Sequence, residues 1–286
     1  MAQIDVAVDI RCRLGECPRW RAEEKALYFV DIALSRLHRW DGAELRTRQF
    51  GQPAGCFAFR RGGGLVLAMA TGFHRLDDVS DPAPKPFGEQ ILAVDDELRF
   101  NDGRCDAQGR FWAGTVNTAK SKPNATLYRL GADGQIMPMA NDGLTLNGVA
   151  MSPDGRTLYL ADTPRHLIFA FDLDATSGAL ANRRVFHQFP QGEGRPDGGS
   201  VDAEGCYWSA LYAGGRVVRL SPKGELLQEI ALPVRRPTMI AFGGEDLKTA
   251  YVTSARLADD EEGSLDGAVL SFAVDTSGLP EADFAG

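Results

Sequence analysis

Hydrophobic and polar positions alternate along this chain in short runs, and the runs come in pairs. Leu144–Thr163 (LTLNGVAMSPDGRTLYLADT) shows the unit. Val149 and Met151 alternate with Gly148 and Ala150, the period of a half-buried strand. Pro153-Asp154-Gly155 is a turn, in which proline presets φ and glycine tolerates positive φ. Leu158, Tyr159 and Leu160 make the second strand, and polar Asn147 sits just before the first.

The unit repeats. Residues 15–32, 55–70, 100–115, 146–162, 197–211 and 237–255 align on the same strand–turn–strand core. Successive second strands are roughly 40–50 residues apart, the period of propeller blades. A third strand follows each: 37–40, 73–76, 126–130, 167–173, 216–220 and 268–274. Fourth, more polar strands are expected at 45–50, 135–140, 184–189 and 225–232, while the second repeat is interrupted by prolines in 81–86. The pattern predicts an all-β fold, a six-bladed β-propeller of four-stranded antiparallel blades around a central channel, as a single domain over 1–286. The strand at 4–10 is expected to close the ring by joining the last blade, whose own fourth strand (278–286) is weak. The acidic 255–264 segment reads as a solvated loop.

Composition narrows the function classes. Of the 286 residues, 44% are hydrophobic and 24% charged, with a formal net charge of −8. That balance disfavours nucleic acid and anionic membranes as partners. The N-terminal MAQIDVAVDIRCR has neither a basic n-region nor an apolar h-region, so a cytoplasmic location is expected. Cys12, Cys17, Cys56, Cys105 and Cys206 form no CxxC pair and read as core filler. The four histidines lack HxxxH spacing, Gly62-Gly63-Gly64 lacks the Lys-Ser/Thr of a phosphate loop, and no GxSxG elbow occurs. The four tryptophans fall on strands and read as blade packing.

In a propeller the first strand of each blade lines the channel, so equivalent positions converge on one axis. Here they are Glu16, Cys56, Asn101, Asn147, Asp197 and Thr238. Four are carboxylates or carboxamides. Taken singly, Asn101-Asp102-Gly103 and Asp197-Gly198 also suit hairpin turns, Asn147 a local cap, and Glu16 the surface. Taken in register, they point to a hard or borderline divalent cation. The expected metal ligands are Glu16, Asn147 and Asp197, with Asn101 and Asp102 beside them toward substrate.

At these residues the sequence resembles the gluconolactonase/regucalcin (SMP-30) family of six-bladed propellers, the sugar lactonases. The matching motifs are LGECPRW (14–20), RFNDGRCDAQGRFWAGT (99–115), LTLNGVAMSPDGRTLYLADT (144–163), RPDGGSVDAEGCYWSA (195–210) and RPTMIAFGGEDLKTAYVTSA (236–255). The resemblance implies hydrolysis of a sugar aldonolactone with one divalent ion: Ca²⁺ or Zn²⁺, or Mn²⁺, Mg²⁺ or Fe²⁺. It implies a metal site of Glu16, Asn147 and Asp197, with Arg99 and Asn101 on substrate. Asp197 is then the expected general base. Two departures stand out. Cys17 follows the glutamate where a small residue is common, and 117–120 (NTAK) lacks the acid that some members place there. The rival readings are a phosphotriesterase or aryl esterase on the same scaffold, a calcium-binding regulatory protein without turnover, and a protein-binding platform. A monomer or small homo-oligomer is expected.

Overall fold

The computed structural model describes residues 3–93 and 97–286. It contains six four-stranded antiparallel sheets arranged as a six-bladed β-propeller. Blade 1 runs Gly15–Arg21, Ala26–Asp31, Arg36–Trp40, Leu45–Gln49 from inner to outer strand. The inner strands of blades 2 to 6 are Ala54–Phe59, Leu98–Cys105, Leu146–Met151, Arg195–Val201 and Pro237–Gly243. Blade 2 ends in a two-residue outer strand, Lys85–Pro86, as its proline-rich sequence requires. Blade 6 takes its outer strand from the other end of the chain: Asp5–Val8 pairs with Val269–Ala273. That closure leaves no unpaired seam between first and last blades. Among the described residues, no helix is long and apolar enough to cross a membrane.

Blades 3 and 5 are braced internally by the same device. Asp106 accepts from Trp112 Nε1 (2.8 Å) and from the backbone N–H of Arg110, while Asp202 accepts equivalently from Trp208 Nε1 (2.9 Å) and Cys206. Each aspartate therefore pins its turn and the indole of the next strand at once. The predicted tight turns are present: Gly109, Gly155 and Gly205 donate back to Asp106, Ser152 and Asp202.

The segment 278–286 does not join blade 6. It crosses the channel end where the inner strands finish. Gly278 N–H donates to Leu247 of blade 6, Phe284 pairs with Phe59 and Arg61 of blade 2, and Ala285 N–H donates to Gly109 of blade 3. Phe284 is buried in the core between blades 1, 2 and 3.

Every inner strand carries a one-residue bulge near its start. Glu16 pairs Val30, but Arg19 pairs Tyr28; Phe100 pairs Thr115, but Gly103 pairs Ala113. Asn147 then Ala150, and Pro196 then Gly199, shift likewise, as do blades 2 and 6. An extra residue lets side chains three apart face the same side of a strand. Glu16 and Arg19, and Asn101 and Arg104, can therefore share one channel at different depths.

Candidate metal and substrate site

The bulges set the site. Glu16, Asn101, Asn147 and Asp197 come from blades 1, 3, 4 and 5 and are 5%, 7%, 2% and 5% exposed. Asn101 Nδ2 donates to Asn147 Oδ1, and Asn147 Nδ2 donates to Asp197 Oδ1, both at 2.5 Å. Three blades are thus joined by a chain of side-chain bonds. Asn147 Nδ2 also donates to Thr163 Oγ1 (2.8 Å), whose hydroxyl donates to the Pro196 carbonyl (2.7 Å) beside Asp197. The Asn147 amide is locked by these contacts.

The loops entering the ring are fixed by carboxylates at the ends of second strands. Asp31 accepts from the N–H groups of Arg13 (2.9 Å) and Leu14 (3.2 Å), just ahead of Glu16. Asp162 does the same for Leu144 and Thr145 (both 3.2 Å), ahead of Asn147. The aspartates in YFVD and YLAD stand at one repeat position, a sequence signal for this role that passed unread.

The remaining expected residues divide. Arg99 Nη1 donates to Asn101 Oδ1 (2.9 Å), so these two do sit together. Asp102 spends its oxygens on the N–H groups of Gly103 (2.7 Å) and Val149 (2.9 Å), ligands that tie blades 3 and 4 together rather than reach outward. Cys56 is buried and its thiol pushed up by burial; Thr238 donates to the Gly15 carbonyl. The polar ring is therefore an arc of four.

Burial pushes the carboxyls of Glu16 and Asp197 well above the usual range. Negative neighbours add to it: Asp197 and Asp102 for Glu16, Asp102 for Asp197. Arg195, Lys120 and Arg99 oppose the shift at Asp197. Lys120 and Arg195 had no role in the sequence reading. Arg195 lies over the Tyr212 ring at 5.2 Å. Among the described residues no three His, Cys, Asp or Glu side chains gather to hold a metal. Two buried carboxylates that repel one another and a neutral amide oxygen are all hard donors, a set that fits a divalent cation. A concavity of about 510 Å³ lined by Trp20, Phe59, Phe242 and Pro280 lies at the opposite end, and none of the ring residues borders it.

This ring lies inside a region that matches a family model. Residues 14–256 match the SMP-30/Gluconolactonase/LRE-like region. The chain belongs to that family. It is 42% identical over 283 residues to a 6-deoxy-6-sulfogluconolactonase of Pseudomonas putida, covering 96% of this chain and 95% of that one. It is 35% identical over 271 residues to the regucalcin of Xenopus laevis, covering 91% and 89%. A solved relative, described as a calcium-binding protein, regucalcin, from Agrobacterium tumefaciens, superposes with a TM-score of 0.91 at 25% identity, covering 98% and 96%. The family and the propeller expected from the motifs are both found.

Proposed function

We propose that this chain hydrolyses a sugar lactone at the Glu16–Asn147–Asp197 pocket. The observation that supports it is the buried, mutually repelling pair Glu16 and Asp197, carried by bulged strands in blades 1 and 5, with Asp197 held by a locked asparagine. The Pseudomonas putida relative is named for such a reaction, on a sulfonated gluconolactone.

Glu16, Asn147 and Asp197 would hold one divalent cation, which when bound polarises the lactone carbonyl and acidifies water. The rest is the work of this chain's own side chains. Asp197 Oδ1 is occupied by Asn147 Nδ2, which leaves Oδ2 to take the proton of the attacking water. The water oxygen bonds to the carbonyl carbon, the ring C–O bond breaks, and the proton passes to the ring oxygen, giving the open hydroxy acid. Arg99 and Asn101, joined to one another, present a cation and an amide edge to substrate oxygens. Burial of the arc excludes bulk water, which strengthens each of these contacts.

The test is lactone opening followed by pH indicator, with chelator-treated protein and single divalent metals restored. Accelerated opening in wild type, with kcat for Asp197→Asn reduced about 10³-fold, is the expected outcome. Wild-type kcat in Asp197→Asn removes the mechanism. Metal binding without turnover of any lactone moves the reading to a calcium-binding protein.

A further inference from the structure

An amide has two unlike ends, and a cation can use only the oxygen. Asn147 enters the arc with Oδ1 toward Asn101 and Nδ2 toward Asp197. Reversed, it would set an oxygen 2.5 Å from the Asp197 carboxylate and an NH₂ against the NH₂ of Asn101. Both of those neighbours, however, are themselves offered to cation and substrate. One further partner has no such duty. Thr163 Oγ1 accepts from Asn147 Nδ2 at 2.8 Å and donates to the Pro196 carbonyl at 2.7 Å.

The direction of that link is fixed by chemistry. A carbonyl oxygen only accepts, so the single hydroxyl proton of Thr163 goes to Pro196, and only lone pairs remain for Asn147. Lone pairs call for the N–H end of the amide. The backbone holds the hydroxyl in place. Buried Thr163 opens the 3₁₀ turn Thr163–Arg165, with Pro164 in its first turn. Its N–H donates to the Thr145 carbonyl and its own carbonyl accepts from His166 N–H, both at 3.1 Å.

Blade 1 supplies the contrast. Ile32 N–H donates to the Leu14 carbonyl (3.0 Å), and the Ile32 carbonyl accepts from Ser35 N–H (3.2 Å). Leu14 stands two residues before Glu16, as Thr145 stands two before Asn147, so Ile32 is to Glu16 what Thr163 is to Asn147. Blade 1 has no hydroxyl there. A carboxylate has two like oxygens and needs no orientation; an amide does. Asn101 is oriented by other means: Arg99 Nη1, which can only donate, meets Oδ1 at 2.9 Å, and the Leu146 carbonyl accepts from Nδ2 at 3.2 Å.

We propose that Thr163 is a positioning residue of the site. It holds the Asn147 nitrogen toward blade 5, which keeps Oδ1, with its second lone pair, as the end offered to a divalent cation. This rests on the cation pocket of the lactonase reading above.

The experiment titrates Ca²⁺, Mn²⁺ and Zn²⁺ singly into chelator-treated protein by calorimetry, with lactone opening followed on the same samples. Thr163→Val keeps the shape and removes the hydroxyl, and its affinity for the ion that wild type binds most tightly should fall about tenfold. Thr163→Ser restores the hydroxyl and should return affinity to within about threefold of wild type. Asn147→Asp makes both ends oxygen, so adding Thr163→Val to it should change affinity by less than about twofold. If Thr163→Val does not fold, Thr163→Ala carries the same comparison. Wild-type affinity in Thr163→Val, or no recovery in Thr163→Ser, overturns the inference and leaves the lactonase reading standing. An equal loss in the Asn147→Asp background overturns it too, since the threonine would then only brace blades 4 and 5. If wild type binds none of the three ions, the inference falls with the cation site, and the lactone rates decide separately whether the chain is a lactonase.

Discussion

The two ends of the central channel are built from the same strands and behave oppositely. At the entry end, Glu16 and Asp197 are buried carboxylates whose negative neighbours raise their proton affinity. Three residues beyond Glu16 and Asn101, on the inner strands of blades 1 and 3, Arg19 and Arg104 are buried cations, and there the charge is met. Arg19 Nη2 donates to the Gly103 carbonyl at 2.5 Å, reaching from blade 1 to blade 3, and Arg104 Nη1 donates to Ser200 Oγ at 3.1 Å, from blade 3 to blade 5. Glu281 of the C-terminal segment sits 3.6 Å from Arg19 and 3.3 Å from Arg104. One end keeps two acids close together, and the other brings in a segment of chain to neutralise its cations. The lesson is that the same bulge serves binding at one depth and stability at another.

The largest expected effect breaks the entry end. Asp197→Asn should lower kcat about 10³-fold, near 4 kcal/mol of barrier, while leaving stability equal or higher. The stability direction follows from linkage. A carboxyl whose folded pKa lies above its unfolded value loses stability as pH rises, so a neutral amide at that position removes a cost at neutral pH. Thermal melts of metal-free protein check it; a lower melting temperature for the variant would count against the contrast between the ends.

The far end should respond the other way. Glu281→Ala leaves two buried guanidinium groups without their carboxylate and should destabilise by about 3 kcal/mol. Denaturant unfolding measures that, and the surviving folded protein should keep its kcat. A stable variant would mean that the backbone acceptors alone carry Arg19 and Arg104.

Much of this division was readable in the sequence, and the boundary of what was readable is physical. Blades, turns and the polar arc follow from local chemistry: alternating strands, Asp- and Gly-bearing turns, and one polar position per repeat. The bulges do not, since a one-residue insertion in a strand has no local signature when both neighbours are polar or small. For that reason Arg19 and Arg104 went unremarked although they stand beside the recognised Glu16 and Asn101. Residues 278–286 looked like a weak fourth strand because their partners lie in blades 2, 3 and 6, far away along the chain. Asp102 reads as a site residue by position, and only its contacts with Gly103 and Val149 reveal its structural duty. Lys120 and Arg195 carry no motif in the sequence and come to act on Asp197 only when the ring closes.

A smaller effect separates channel electrostatics from burial elsewhere in blade 1. His38 lies in the third strand, its ring stacked on Phe29 at 4.9 Å and its Nδ1 2.9 Å from Thr47 Oγ1, with Nε2 lacking a partner. Burial pulls its pKa down from 6.5 to about 4. The unfolded chain therefore binds this proton first, so the stability it contributes is present above about pH 6.5 and is lost as pH falls toward 4. His38→Gln should flatten the stability profile between those limits by on the order of 2 kcal/mol. An unchanged slope would assign acid sensitivity to other groups.

The smallest expected effect compares the two site strands directly. Cys17 follows Glu16 and Gly148 follows Asn147, at the same point of the bulge, and both have positive φ, 51° and 58°. Glycine takes that conformation freely; an L side chain there costs about 1–2 kcal/mol. At Gly148 a side chain is also excluded by space, because an added Cβ would lie 2.1 Å from the Tyr207 hydroxyl. At Cys17 the space is filled instead: Sγ accepts from the Phe57 N–H at 3.4 Å and packs into blade 2. Cys17→Gly relieves the backbone and forfeits that packing, two terms of similar size and opposite sign. The net change in unfolding free energy should stay within about 1 kcal/mol. A loss well beyond that would show the thiol to be a structural bridge between blades 1 and 2. A clear gain would show that blade 1 tolerates strain next to Glu16, where blade 4 has removed it with glycine.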